Sequence, residues 1–145
     1  MHIAMKTDKK YLLDTNTLIE FNWGTPSVVD QILKVGIDVC CISVISLCEL
    51  YYGAYYAKTK KNEYFEREMM FIEKLMQRFS VLSLPVKADC YGKLKNDLRQ
   101  RGELVDEFDM IIAGQALEDE LILVTDNVKH FNRIPDLKVE NWLSR

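Results

Sequence analysis

The sequence predicts a three-layer α/β sandwich, with a central parallel sheet of four to five strands flanked by helices. Strand-like runs alternate with helix-period segments along the chain, which is how βαβ units covering both faces of a sheet read in sequence. At 145 residues the chain suffices for one domain with a real core, and no repeat, low-complexity tract or linker divides it. Acidic residues stand where apolar strands end or apolar helices begin, the edge at which open parallel sheets bind their ligands.

The first strand is expected over 10–14, where Lys10-Tyr11-Leu12-Leu13 runs into Asp14. Ser27, behind Pro26, reads as the N-cap of a helix that reaches about Val35 and closes at Gly36. A second strand over 39–43 is followed by Leu47, Leu50, Tyr51, Ala54 and Tyr55 at helical spacing. Phe65, Met69, Ile72, Met76 and Phe79 make a similar stripe on a charged helix of about 62–79. A third strand, 80–84, precedes a helix that starts after Pro85, carries Tyr91, Leu94 and Leu98, and stops at Gly102. Residues 108–117 are apolar almost throughout, so that helix is expected to be buried on most sides. The fourth strand, 121–125, leads into Asp126, and a weaker fifth lies near 137–140. The pairs Tyr51-Tyr52 and Tyr55-Tyr56 put tyrosines on two faces of one helix, leaving one of each pair for an interface.

Composition excludes several classes. No apolar run approaches the ~18–20 residues that span a membrane. Residues 1–9 have no apolar centre, so they read as a flexible extension of a single domain spanning 1–145 rather than a signal peptide, and the expected location is cytoplasmic. Cys40, Cys41, Cys48 and Cys90 have no C-x-x-C spacing, and His2 and His130 lie far apart, so zinc is not expected and the thiols read as small buried hydrophobes. A net charge of −3 argues against a structural nucleic-acid binder, but less against an enzyme whose acidic centre carries cations. The basic runs Lys58, Lys60, Lys61 and Lys93, Lys95, Arg99, Arg101 read as solvated helix faces.

Asp14, Glu49, Asp109 and Asp126 carry the chemistry. Each has a local explanation. Asp14 or Thr15 can cap the next helix; Ser46 to Glu49 fits a capping box; Asp106 can cap a helix with Asp109 in its first turn; Asp126-Asn127 fits a turn. Glu49 lies opposite the Leu47, Leu50 and Ala54 stripe, so it faces either a cleft or water. Capping does not require four acids to converge, however, and converging acids repel. Asn16, Thr125 and Asn127 flank them as neutral donors able to orient carboxylates. Such a hard-oxygen cage suits Mg²⁺ or Mn²⁺, and phosphodiester hydrolysis is the reaction it best supports.

Tyr11-Leu12-Leu13-Asp14-Thr15-Asn16 resembles the opening of PIN-domain proteins, in particular their VapC-type toxin branch. The likeness continues in order through 42–50 with Tyr52-Gly53, Asp109-Met110-Ile111-Ile112-Ala113, 123–127 with Phe131, and the ending 139–143. It implies a metal-dependent ribonuclease acting on RNA, possible tRNA targets included, with a VapB-type antitoxin and a homodimer formed through helices. Asp14, Glu49, Asp109 and Asp126 match the family's acidic quartet, and Asn16 and Thr125 its polar support positions. Phe108 departs from the polar residue common before the third acid, and Asp106 and Glu107 add acids nearby. Three rivals stand: a nuclease of RNA processing or DNA flaps without an antitoxin, a phosphate-binding receiver-like module for which Lys129 is the candidate lysine, and a catalytically inactive interaction domain.

Overall fold

The computed structural model describes residues 8–84 and 88–143. Most of the extension over 1–9, and the helix start after Pro85, lie outside them. Three-residue strands dominate: β1 (Tyr11–Leu13), β2 (Cys40–Ser43), β3 (Ser80–Leu82), β4 (Ile122–Val124) and the two-residue β5 (Val139–Glu140). They form one sheet in the order β3-β2-β1-β4-β5, every neighbouring pair parallel. Parallel pairing needs long crossovers, and helices supply them. These are α1 (Thr15–Asn22), α2 (Pro26–Val35), α3 (Val44–Lys58), α4 (Asn62–Arg78), α5 (Ala88–Gln100), α6 (Glu107–Glu118) and the short α7 (Val128–Phe131).

Side chains alternate across a strand, so each central strand feeds two cores. Tyr11, Leu13, Cys40, Ile42 and Val124 face a cluster with Leu18, Ile32, Leu50, Ile72 and Leu75, from α1 to α4. Leu12, Cys41 and Leu123 face the other way, against Leu94, Leu98, Met110, Ile112, Ala113 and Phe131, from α5 to α7. Three layers result, as the sequence predicts. No described helix is long and apolar enough to cross a membrane.

Several local expectations are corrected. Thr25, not Ser27, is the N-cap of α2, and Pro26 is its first residue, where a missing N–H costs nothing. Ser43, not Ser46, caps α3, its Oγ accepting from Ile45 N at 3.0 Å. The capping box therefore does not form, because β2 runs straight into α3, and Glu49 sits a turn deeper with its carboxylate available to the cleft. Cys40 and Cys41 are buried, and burial first of all pushes their thiols up to about 11 and about 12. Cys48 and Cys90 are exposed, since each lies on the outer face of its helix. Met76 and Tyr55 are also exposed despite their spacing. Between Ala54 and Phe71 no side chain is buried, so the far halves of α3 and α4 project beyond the sheet as a helical hairpin. Periodicity cannot register that the core has ended.

One polar bridge ties the layers together. Gln115, 2% exposed on α6, accepts from Ser43 Oγ at 2.5 Å and donates through Nε2 to Ser83 O at 2.6 Å. It joins the ends of β2 and β3 to α6, whose first turn carries Asp109. Gln115→Ala leaves the buried Ser43 hydroxyl without its acceptor, while the exposed Ser83 carbonyl can turn to water, and is expected to lower stability by ~1–3 kcal/mol in a urea melt. An unchanged midpoint would show the bridge to be idle.

Candidate active site

The chain leaves β1 for β2 on one side, and β4 later returns on the other, so the strand order reverses between β1 and β4. Such a reversal opens a crevice at the carboxyl ends of the strands. Asp14 occupies it. Its N–H donates to Val124 O at 2.9 Å, continuing the ladder one residue past β1. Its side chain is the N-cap of α1, Oδ1 accepting from Thr15 N at 2.8 Å. Oδ2 accepts from Thr125 Oγ1 at 2.9 Å, and the same hydroxyl oxygen accepts from Asn127 N at 3.0 Å. Asp14 is thus held by β4, by the residue that follows it and by the start of α1, and is only 7% exposed. Burial raises its pKa more than the Thr125 and Thr15 hydrogen bonds lower it. Thr125, one residue past β4, is buried beside it.

Glu49 faces the cleft. Its Oε1 accepts from Thr15 Oγ1 at 3.1 Å. Its pKa is raised, first by burial and then by the charges of Asp14 and Asp106, against the lowering effect of Thr15. Asp109, in the first turn of α6, is half-buried and pushed up to about 6 by burial, Asp14, Asp106 and Glu49. A helix N-terminus favours a carboxylate by ~0.3–1 kcal/mol, and here burial among like charges outweighs it. Asp14, Glu49 and Asp109 therefore converge, and Asp106 stands with them. Asp106 is the N-cap of α6, its Oδ2 accepting from Phe108 N at 3.1 Å. Glu107 turns away to α5, where it accepts from Lys95 and Tyr91. Of the three neighbouring acids, Glu107 is thereby drawn away, and Asp106 and Asp109 stay with the cluster.

Asp126 follows Thr125 and accepts from Asn141 Nδ2 at 3.5 Å. With Asn16, which is exposed on α1, it lines an adjoining cleft. His130 is exposed, its Nδ1 3.0 Å from Asn127 Nδ2. Thr15 and Asp106 are the two contributors that sequence spacing leaves as plain caps. Only the pairing of β1 with β2 brings residue 15 to residue 49.

Among the described residues no three acidic, imidazole or thiol side chains close tightly enough to hold an ion by themselves. The fit is instead to a hard cation that keeps several waters and takes one or two carboxylates, as Mg²⁺ does. Asp14 raises the pKa of Glu49 and of Asp109, Glu49 raises that of Asp109, and among the described residues no Lys or Arg is one of the groups acting on the three. A divalent cation held there would supply positive charge.

The PIN domain family matches residues 11–137. The chain belongs to it. Among the PIN-domain relatives, ribonuclease VapC2 of Haemophilus influenzae is 36% identical over 135 residues, covering 92% of this chain and 98% of the relative. The tRNA(fMet)-specific endonuclease VapC of Salmonella typhimurium is 34% identical over 134 residues, with 92% and 98% covered. Among solved structures, DNA-bound VapBC from Salmonella typhimurium superposes with a TM-score of 0.82 at 32% identity, over 93% of this chain and 99% of that one. VapBC2 from Rickettsia felis, bound to a promoter DNA fragment, gives 0.77 at 32% identity, over 92% and 98%. PIN-domain nucleases of the VapC kind generally depend on a divalent metal.

Proposed function

We propose that this PIN domain is an Mg²⁺- or Mn²⁺-dependent endoribonuclease, the toxin of a toxin–antitoxin pair acting in the cytoplasm. The observation that carries the reading is the convergence of Asp14, Glu49 and Asp109 at the strand-order reversal, with no cationic side chain among the described residues acting on them. The ribonuclease and tRNA endonuclease relatives support RNA, and tRNA within that class, as the substrate.

Asp14 and Asp109 would hold the cation, with Glu49 and Asp126 completing the pocket directly or through water. A divalent ion so held lowers the pKa of water and offsets charge on the phosphate oxygens. The protein's own contributions are positional. Thr125 Oγ1 and Thr15 N fix both oxygens of Asp14 in one rotamer. Thr15 Oγ1 orients Glu49, whose raised pKa suits a carboxylate that accepts the proton of the attacking water. Splayed single-stranded or looped RNA presents a backbone that reaches such a crevice.

The purified protein is expected to cut RNA with Mg²⁺ or Mn²⁺ and to lose all activity in EDTA. Cleavage that persists through chelation would sink the metal-nuclease reading. The VapBC structures with which the chain superposes support a VapB-type antitoxin as partner. Exposed Tyr52, Tyr55 and Tyr56 on α3 offer a surface for homodimerisation. Light scattering should return twice the monomer mass; a strict monomer at high concentration removes the dimer from this proposal.

A further inference from the structure

Beside the carboxylates lies a cleft of about 370 Å³, within the size range of small-ligand sites, ~300–1,000 Å³. Asn16, Ile19, Glu20 and Trp23 line it along one stripe of α1, with Asp126 and Leu143 opposite. The stripe runs from the catalytic crevice outward, Trp23 lying ~10 Å along the helix axis from Asn16.

Trp23 is 73% exposed. The other tryptophan, Trp142, is packed in the core with its ring 5.0 Å from that of Tyr11. Trp23 has no such packing role, and its position is set by the way α1 ends. It is the C-cap; its N–H donates to Ile19 O at 3.0 Å, and Gly24 turns the chain at φ 75°, a conformation that costs glycine little. Thr25 then reaches back, its N donating to Glu20 O at 3.1 Å and its Oγ1 to Glu20 Oε2 at 2.5 Å. The same turn thus sets the indole and holds the Glu20 carboxylate at the cleft wall.

Resting on the ribonuclease reading above, we infer that Trp23 and this cleft form a stacking subsite for an amine-bearing nucleobase adjoining the scissile phosphate. Single-stranded RNA is gripped by stacking bases on aromatic rings. Ile19 and Leu143 give the base an apolar floor, and the lining residues Asn16 and Asp126 stand two residues past Asp14 and one past Thr125 in the chain. The polar lining selects among bases. Glu20 and Asp126 are acceptors and, among the described residues, no Lys or Arg lines the cleft, so those carboxylates repel a phosphate there. Carboxylates accept from the amino group of cytosine, and adenine offers a comparable donor. Uracil has no exocyclic amine, and the two carbonyl oxygens that flank its single N3–H meet the same carboxylates unfavourably, so it is disfavoured.

Uncharged nucleosides test the subsite without a cation. Titrated with cytidine or adenosine in EDTA, the Trp23 indole N–H resonance, assigned through Trp23→Phe, should shift while that of Trp142 stays still. Uridine should shift it less at equal concentration. In RNA cleavage with Mg²⁺, Trp23→Ala should raise KM by about five- to a hundredfold, the range that stacking one base supports. Trp23→Phe should restore most of the loss. Three results would overturn the subsite: no shift with any nucleoside, a uridine shift equal to that of cytidine, or an unchanged KM for Trp23→Ala. A Trp23→Ala variant that alters only oligomeric state or antitoxin binding would also overturn it, assigning the indole to a protein interface. If no RNA is cut under any condition, the ribonuclease reading fails by itself, and the nucleoside titration still reports on the cleft.

Discussion

Asp14→Asn lowers the rate of RNA cleavage at least about a hundredfold, a loss of ~2.7 kcal/mol of transition-state stabilisation, while the protein stays folded. The two halves of that expectation come from different atoms. Asn remains a good N-cap, so its side-chain oxygen keeps the bond from Thr15 N, and its amide can donate to Thr125 Oγ1 in place of accepting. What disappears is the negative charge at the one carboxylate anchored to both β1 and β4, where a divalent cation needs it. Because the Asp14 carboxylate is raised in pKa by burial, neutralising it relieves the fold rather than straining it. Single-turnover cleavage and a melting curve on the same preparation separate the effects. An inactive variant that has also unfolded would say nothing about catalysis; a folded variant that retains activity would remove Asp14 from the mechanism.

Asp109→Asn should raise the melting temperature of the metal-free protein near pH 7–8, and the gain should vanish toward pH 4. Asp109 has a folded pKa of about 6 against an ordinary 3.8, so it binds its proton more tightly folded than unfolded. Such a group costs no stability at pH below the lower value. Stability is lost as pH rises through the window between about 4 and about 6, and the loss persists above it. After allowance for solvent screening of a half-buried group, the gain from removing the charge is ~1–2 kcal/mol. Mg²⁺ at a hundred times its dissociation constant should stabilise the parent by ~2.7 kcal/mol, and the variant much less. An Asp109 that merely complements the α6 dipole predicts the reverse, a loss of ~0.3–1 kcal/mol on substitution and no response to metal in either protein. Melts at pH 4 and pH 8, with EDTA and with Mg²⁺, decide between them. The cost is tolerable because buried core residues such as Leu12, Leu13 and Leu123 each contribute ~1.5–3 kcal/mol.

Alternation of apolar strands with helical stripes determines the layered sheet from sequence, and the strands fall within two residues of their expected bounds. This works because hydrophobic period is a local property that each segment carries by itself. The apolar stripe of α6 and the acids at the strand ends are legible for the same reason. Local pattern fails where the answer depends on what lies beyond the segment. Ser46 satisfies a capping box on paper, yet β2 ends at Ser43 and the cap moves with it. Tyr55 keeps helical spacing on a hairpin that has left the core, Met76 is exposed beside the buried Leu75 and Phe79, and Cys48 and Cys90 sit on outward faces.

For the site, the sequence by itself determined which acids were available and that they lay near the binding edge of a parallel sheet. Only the tertiary structure decided how they relate. It turned Asp106 toward Asp109 and Glu107 away to Lys95. It put Thr125 on Asp14 across 111 residues and Thr15 on Glu49 across 34. It also set Asn16 and Asp126 on a cleft shared with Trp23, a residue no motif singled out. The physical reason is one of range. Propensity and hydrophobic period act over a few residues along the chain, whereas carboxylate repulsion and hydrogen bonding act over a few ångströms in space, and strand order alone converts one into the other.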